Sequence, residues 1–249
     1  MGRAFEFRKA RKLKRWSAVS KTFTKIGKEI YVAVKDSGAD PETNSRLKQI
    51  IQNAKSANMP KENIDRAIKK ASGENATNYI ETTLEGYAPH GIAVFIDCTT
   101  DNNNRTVANI RSYFNKYGGN LGKNGSLDFL FERKGVFNIK SVNIKIDLEE
   151  LEMELIDYGL DELETEEDLV IMYCKLKDFN TLQKKIENLN IIIESSELQR
   201  IANNLKTISD ECTIEVLKLL ESIEKDEDVQ KLSHNMNIPQ RIINLIEEK

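Results

Sequence analysis

Large apolar residues recur at Trp16, Val19, Phe23, Ile26, Ile30 and Val34, spaced three, four, three, four and four, which is one face of an α-helix. At ~100° per residue Lys21, Lys25, Lys28 and Lys35 fall about 160–240° around from Val19. The helix is therefore expected to turn an apolar side to a core and a lysine side to solvent. Gly38 suits its end, and Asp40 followed by Pro41 suits the start of another. Leu47, Ile50, Ile51 and Ala54 mark a second helix, and Pro60 a first turn before Ile64, Ala67, Ile68 and Ala71 mark a third that stops at Gly73.

Beyond "ENATN" the periodicity changes. "YIETTLEGY" and "GIAVFIDCTT", separated by "APH", are rich in β-branched and aromatic residues and read as two strands. Val107, Ile110 and Phe114 then sit at helical spacing up to Gly118 and Gly119, and "SLDFLFERKG" reads as a further strand. From Val136 the order is strand, helix (Asp147 to Tyr158), short strand ("LDELE"), strand ("DLVIMYCKL"), helix (Phe179, Leu182, Ile186, Leu189) and strand ("NIIIESSELQRI"). This β-α-β-β-α-β series is the ferredoxin-like pattern. A helix (Thr213 to Ile223), a strand ("DVQKLSHN") and a helix from Pro239 follow, and these last elements can complete the sheet begun at Tyr79. The expected fold class is α+β: a helical domain over 1–76, a middle α+β domain over 77–134 and 205–249, and a ferredoxin-like domain over 135–204 inserted into it.

Charge divides the chain in the same way. Met1 to Lys70 holds 18 Lys and Arg against 7 Asp and Glu, a balance of +11, whereas the remainder holds 19 against 33, a balance of −14. A sign reversal of this kind points to a polyanion-binding portion and a portion with another task. The first fifteen residues carry seven cations and one carboxylate, Glu6. A handful of such contacts supplies sequence-independent binding by releasing counterions from phosphates. Arg8, Lys9, Arg11, Lys12, Lys14, Arg15, Lys21, Lys25 and Lys28 are the candidate nucleic-acid contacts, with positioning rather than base reading as their role. Phe5, Phe7 and Trp16 lie among them and could stack on unpaired bases, although Trp16 falls on the apolar stripe and fits a core better. A solvated arm kept soluble by its charge is the plainer alternative.

Other motifs weigh less. Gly119, Gly122 and Gly125 with Lys123 could bring backbone amides to a phosphate, but a strand follows where a phosphate loop needs a helix, so a helix stop and tight turn is the better reading. In "TTDNNNRT" Asp101 or Asn102 suits a helix cap, and Arg105 could grip a phosphate or a partner carboxylate. Arg105 and Lys123 are thus additional candidate contacts. Twelve acidic and no basic residues occupy Asp147 to Asp168. They fall on both sides of the Leu148, Leu151 and Leu155 stripe, as on a solvated helix, rather than forming a Mg²⁺ cluster for phosphodiester cleavage. Such a surface repels nucleic acid and is open to a protein partner.

Cys98, Cys174 and Cys212 are far apart, and only His90 and His234 accompany them, which argues against disulfides and zinc and suits a reducing cytosol. No apolar run reaches the ~18 residues of a membrane span, and the start lacks the ~7–15-residue apolar core of a secretory signal. No Walker loop, G-x-S-x-G, H-E-x-x-H or recognisable Cys-His arrangement is present. No catalytic residue, metal ligand or cofactor is expected, and the location expected is cytoplasmic.

"PETNSRLKQIIQNAKSANMPKENIDRAIKKASG", "LEGYAPHGIAVFIDCTTDNNNRT" and "NKYGGNLGKNGSLDFLFERKG" closely resemble the YebC/PmpR family, which includes the mitochondrial translational activator of cytochrome oxidase. The likeness runs from about Lys21 to Gly135 and resumes at "EDVQKLSHNMN". It implies the same three-part α+β architecture, a cytoplasmic or mitochondrial location, no enzymatic activity and no cofactor. It also implies either a DNA-binding transcriptional regulator or a ribosome-associated factor that assists translation through stretches such as consecutive prolines. Many members open with a Gly-His-Ser-Lys-Trp-type sequence, where this chain has "MGRAFEFRKARKLKRW". The expected function is that of a nucleic-acid-binding regulator of gene expression acting on duplex DNA. The alternatives are a translation factor on ribosomal RNA and the ribosome, and a protein-binding scaffold with a merely solubilising arm.

Overall fold

The computed structural model describes residues 19–73, 78–166 and 168–247. Its first three helices are α1 (Val19–Ser37), α2 (Ser45–Ser56) and α3 (Lys61–Ser72). Ile26, Ile30 and Val34 of α1 meet Leu47, Ile50 and Ala54 of α2 and Ile64 and Ala71 of α3 in one apolar cluster. Each of the buried Ile, Leu and Val side chains contributes roughly 1.5–3 kcal/mol. Trp16, read as part of this core, lies outside the described residues. The corner between α1 and α2 is tied by Asn44, not opened by Asp40 and Pro41. Asn44 Oδ1 accepts from Leu47 N at 3.0 Å as the cap of α2, while its Nδ2 donates to Ala33 O and Gly38 O at 2.7 and 2.8 Å. Asp40 instead accepts from Glu42 N in the preceding turn.

Next come β1 (Ile80–Ala88) and β2 (Ile92–Thr100), a hairpin in register from Ile80 opposite Thr100 to Ala88 opposite Ile92. Then α4 (Asn103–Lys116) is capped by Asn102, whose side chain accepts from Arg105 N at 3.1 Å; Asp101 takes no part in the cap. The two-residue β3 (Asn120–Leu121) pairs with Gly86 and Tyr87 of β1. Gly86 and Gly119 are dictated by packing here, since a Cβ on either would fall within 3.0 Å of the Phe114 ring.

Residues read as two successive strands around Gly135 form one, β4 (Phe131–Lys140), and Ser141–Asn143 is a single 3₁₀ turn. Gly135 causes no break because the extended backbone continues through it, with Phe179 and Cys174 packed where its side chain would be. After it come α5 (Leu148–Ile156), β5 (Leu160–Glu166), β6 (Leu169–Lys175), α6 (Phe179–Asn188) and β7 (Ile193–Ala202). They form an antiparallel sheet in the order β5-β6-β4-β7, the split β-α-β arrangement in which β6 lies between β4 and β5. Its helices cover Phe137, Ile139, Val170 and Met172 on one face.

The chain then runs through α7 (Asp210–Glu224), β8 (Val229–His234) and α8 (Gln240–Glu247). Strand β8 pairs antiparallel with β2, giving the first sheet the order β3-β1-β2-β8. Its core joins Ile92, Val94 and Ile96 to Ile110 and Phe114 of α4, Val216 and Leu220 of α7, and Ile242 of α8. A small cluster of Ala93, Phe95, Leu127, Phe131 and Ala202 links the two sheets.

Candidate nucleic-acid interface

The lysine side of α1 faces open solvent only at its end, where Lys35 is exposed. Lys28 is buried, and its Nζ donates to Asp228 Oδ1 at 2.8 Å, Glu227 O at 2.8 Å and Thr99 O at 3.3 Å. This corrects its expected role as a phosphate contact, because the charge is consumed inside the protein. The reason is a second layer: the apolar side of α1 packs on α2 and α3, and the opposite side packs on the loop before β8. Lys21 Nζ reaches Lys225 O in that loop at 3.4 Å and is half-buried. Lys25 is half-buried beside Glu29, whose carboxyl burial pushes up against the opposing pull of Lys231, Arg46 and Lys25. Arg8, Lys9, Arg11, Lys12, Lys14 and Arg15 lie outside the described residues.

Asp228 is the hub of this joint. Its Oδ2 accepts from Thr106 Oγ1 at 2.8 Å, Arg105 Nη2 at 2.9 Å and Thr100 Oγ1 at 3.1 Å. Burial alone would raise its carboxyl, but Lys28, Arg105 and Thr106 outweigh that and hold it down at about 2. Arg105 also binds Asp101 at 2.7 Å, so this candidate contact is bound to partner carboxylates. Its guanidinium is pushed up by the hydrogen bonds to Asp228 and then Asp101.

Seen down its axis, α2 has three sides. Leu47, Ile50 and Ala54 face the helical core. On the opposite side Gln49, Gln52, Asn53 and Ser56 bond to the edge strand β7: Gln49 and Asn53 donate to Ser196 O at 2.6 and 2.8 Å, Gln52 to Ile193 O at 2.6 Å, and Ser56 to Glu194 O. Asn53 Oδ1 also accepts from Ser196 N at 3.1 Å, so one amide replaces the missing neighbour strand. On the third side Lys48 and Lys55 are exposed. With Lys61, Arg66, Lys69 and Lys70 of α3 they make a set of exposed cations without a carboxylate partner among the described residues. These six were not singled out from the sequence, where only the total charge of the region pointed to them.

The glycine loop after α4 gives its amides to an internal anion. The buried Glu85 carboxylate accepts from Gly125 N at 2.7 Å, Leu127 N at 2.8 Å and Ser126 Oγ at 3.3 Å, and Glu85 O accepts from Gly122 N at 2.7 Å. Lys123 stands exposed at the loop tip. Among the described residues no three His, Cys, Asp or Glu side chains gather to hold a metal ion, and no helix is long and apolar enough to cross a membrane.

A helical bundle, an antiparallel sheet closed by a late strand, and a ferredoxin-like sheet between its strands define a three-part α+β protein that presents cations from its N-terminal helices. The chain belongs to the TACO1/YebC family: residues 3–74 match the TACO1/YebC protein N-terminal domain and residues 79–236 the TACO1/YebC second and third domain. It is 53% identical over 236 residues to a protein of Porphyromonas gingivalis, covering 95% of this chain and 97% of that one. A protein of Wolinella succinogenes is 48% identical, covering 95% and 100%. Both relatives are named probable transcriptional regulatory protein. The crystal structure of a conserved hypothetical protein from Aquifex aeolicus superposes with a TM-score of 0.78 at 38% identity, covering 90% of this chain and 93% of that one.

Proposed function

We propose that this chain is a non-enzymatic regulator of gene expression that binds the phosphates of duplex DNA through its N-terminal part, in the cytoplasm. The observation that carries the reading is the reversal of charge from +11 through Lys70 to −14 beyond it. The six exposed cations of α2 and α3, without an ion-pair partner among the described residues, support it. The names of the relatives favour transcription. Arg8, Lys9, Arg11, Lys12, Lys14 and Arg15 supply the main positioning contacts, with Lys21 and Lys25 at the edge of the surface. The parts are 1–76, 77–134 with 205–249, and 135–204; the second and third orient the first and leave the acidic helix α5 free for a protein partner.

Fluorescence anisotropy with a labelled DNA duplex of about 20 base pairs tests this, because log K falls by about 0.9 per neutralised phosphate for each unit of log salt. Replacing the six arm residues by Gln is expected to flatten that slope by several units. Binding that ignores both salt and these substitutions sinks the reading. Migration of the protein with ribosomes in a lysate gradient, lost on RNA digestion, without any preference for promoter duplex, would transfer it to ribosomal RNA.

A further inference from the structure

We propose that the outward face of α4 and the loop after it form a second contact surface for the phosphate backbone of double-helical nucleic acid. This rests on the nucleic-acid reading above but uses residues from the acidic part of the chain. From Asn102 to Leu127 there is no Asp or Glu, and Arg105, Arg111, Lys116 and Lys123 give the stretch a charge of +4. That run interrupts a region in which carboxylates outnumber cations 33 to 19.

On the helix wheel Arg105 and Lys116 lie about 20° apart and Arg111 about 120–140° from them, so the cations stand along the two edges of the exposed face, with Lys123 in the loop beyond. Thr106, Ile110 and Phe114 are its buried face. At ~100° per residue Ala108, Ser112 and Asn115 lie opposite, flanked by Asn104 and Arg111 on one side and Lys116 on the other. All six are exposed. Fourteen residues make a rod about 21 Å long, enough to follow several phosphates. Neutral amide and hydroxyl donors beside cations are the groups that bind phosphate oxygens.

Four neighbouring carboxylates are already engaged, whereas Asp128 at the end of the glycine loop is exposed and makes no ion pair among the described residues. Asp101 is held by Arg105, Asp226 by Asn109 and Tyr113, Glu221 by Lys225, and Glu85 by the loop amides beneath Lys123. Arg111, Lys116 and Lys123 consequently have no carboxylate partner among the described residues; Lys116 Nζ lies 5.3 Å from the Tyr117 ring centre. A protein partner would need a large apolar anchor, yet no exposed large hydrophobic residue occurs between Asn102 and Leu127. The nearest exposed aromatic rings, Tyr87 opposite Asn120 and Phe129 after the loop, lie beside the stretch and not on α4. The cations and amides of α4 itself suit the backbone of a duplex. The face also connects to the N-terminal part, since Arg105 at its start and Lys28 of α1 hold the same carboxylate.

The test is full-length protein carrying Arg111→Gln, Lys116→Gln and Lys123→Gln, titrated with one labelled random-sequence duplex of about 20 base pairs, made as DNA and as RNA, across a salt series. A second variant exchanges only the type of cation (Arg111→Lys, Lys116→Arg, Lys123→Arg), and a third removes three exposed cations of the second sheet instead (Lys175→Gln, Lys177→Gln, Lys184→Gln). The first is expected to flatten the slope of log K against log salt by about 2 to 3, while the other two keep it. A loss confined to one duplex identifies which helix is bound. Unchanged affinity and slope in the first variant, with the unsubstituted chain binding normally, overturns this surface and leaves the N-terminal reading standing; so does an equal loss in the third. If the unsubstituted chain shows no salt-dependent binding, both readings fall.

Discussion

Lys28 and Asp228, 200 residues apart in sequence, form a buried ion pair with 2.8 Å between Nζ and Oδ1. It is the point at which the first helix is fastened to the sheet that closes last. Removing one partner leaves the other charged and enclosed, which typically costs about 3–5 kcal/mol. Lys28→Met and Asp228→Asn are each expected to lower the urea midpoint sharply. The double variant should be less destabilised than the sum of the two, and strict additivity in that cycle would show that the pair is not coupled.

The same carboxyl sets an acid limit. Its folded value is about 2, below the ~3.9 of an unfolded aspartate. The folded state therefore binds the proton less readily, so this stabilisation is complete above about pH 4 and is lost as pH falls towards 2. Stability curves of the parent and Asp228→Asn proteins are expected to converge across that window. A gap that stays constant down to pH 2 would contradict the assignment.

Glu85 holds the glycine loop from beneath. Glu85→Gln leaves one acceptor where two oxygens now serve Gly125 N, Ser126 Oγ and Leu127 N, and it turns an NH₂ towards donors. A loss of about 1.5–3 kcal/mol is expected, the range for hydrogen bonds to a charged group. Hydrogen exchange should report it as faster exchange at the amides of Gly125 and Leu127, ahead of any global change.

Asn53 covers the edge of β7 with a donor and an acceptor on Ser196. Asn53→Asp keeps the acceptor and replaces the donor with an oxygen facing Ser196 O. Exchange at the Ser196 amide is expected to quicken, with about 1–3 kcal/mol lost from the stability of the protein. Asn53→Leu would leave Ser196 N without its acceptor while Gln49, Gln52 and Ser56 still cover the neighbouring carbonyls, so exchange at that amide should quicken further without light scattering detecting association.

Much of the architecture was legible because its signals are local. The stripe Ile26, Ile30, Val34 and the series from Val136 to Ile201 name the helices and the second sheet from spacing alone. What stayed hidden depends on distant neighbours. Lys28 has the period of a solvent-facing lysine, and periodicity marks the apolar side of a helix without saying whether a second layer covers the polar side. Gln49, Gln52 and Asn53 look like a wetted face for the same reason. Glu85 alternates normally within β1, and its role depends on a loop 40 residues later that folds back over it. Around Gly135 the error was of the opposite kind, since a glycine read as punctuation proved to be a place where Phe179 needed room.

The insertion imposes an order on synthesis. β2 ends at Thr100 and its partner β8 begins at Val229, whereas the second sheet is encoded without interruption from Phe131 to Ala202. At about 5–20 residues per second, a nascent chain leaves the β2 edge without its partner strand for on the order of ten seconds. Until α7 and β8 emerge, the covering of its Ile92, Val94 and Ile96 falls to α4, through Ile110 and Phe114.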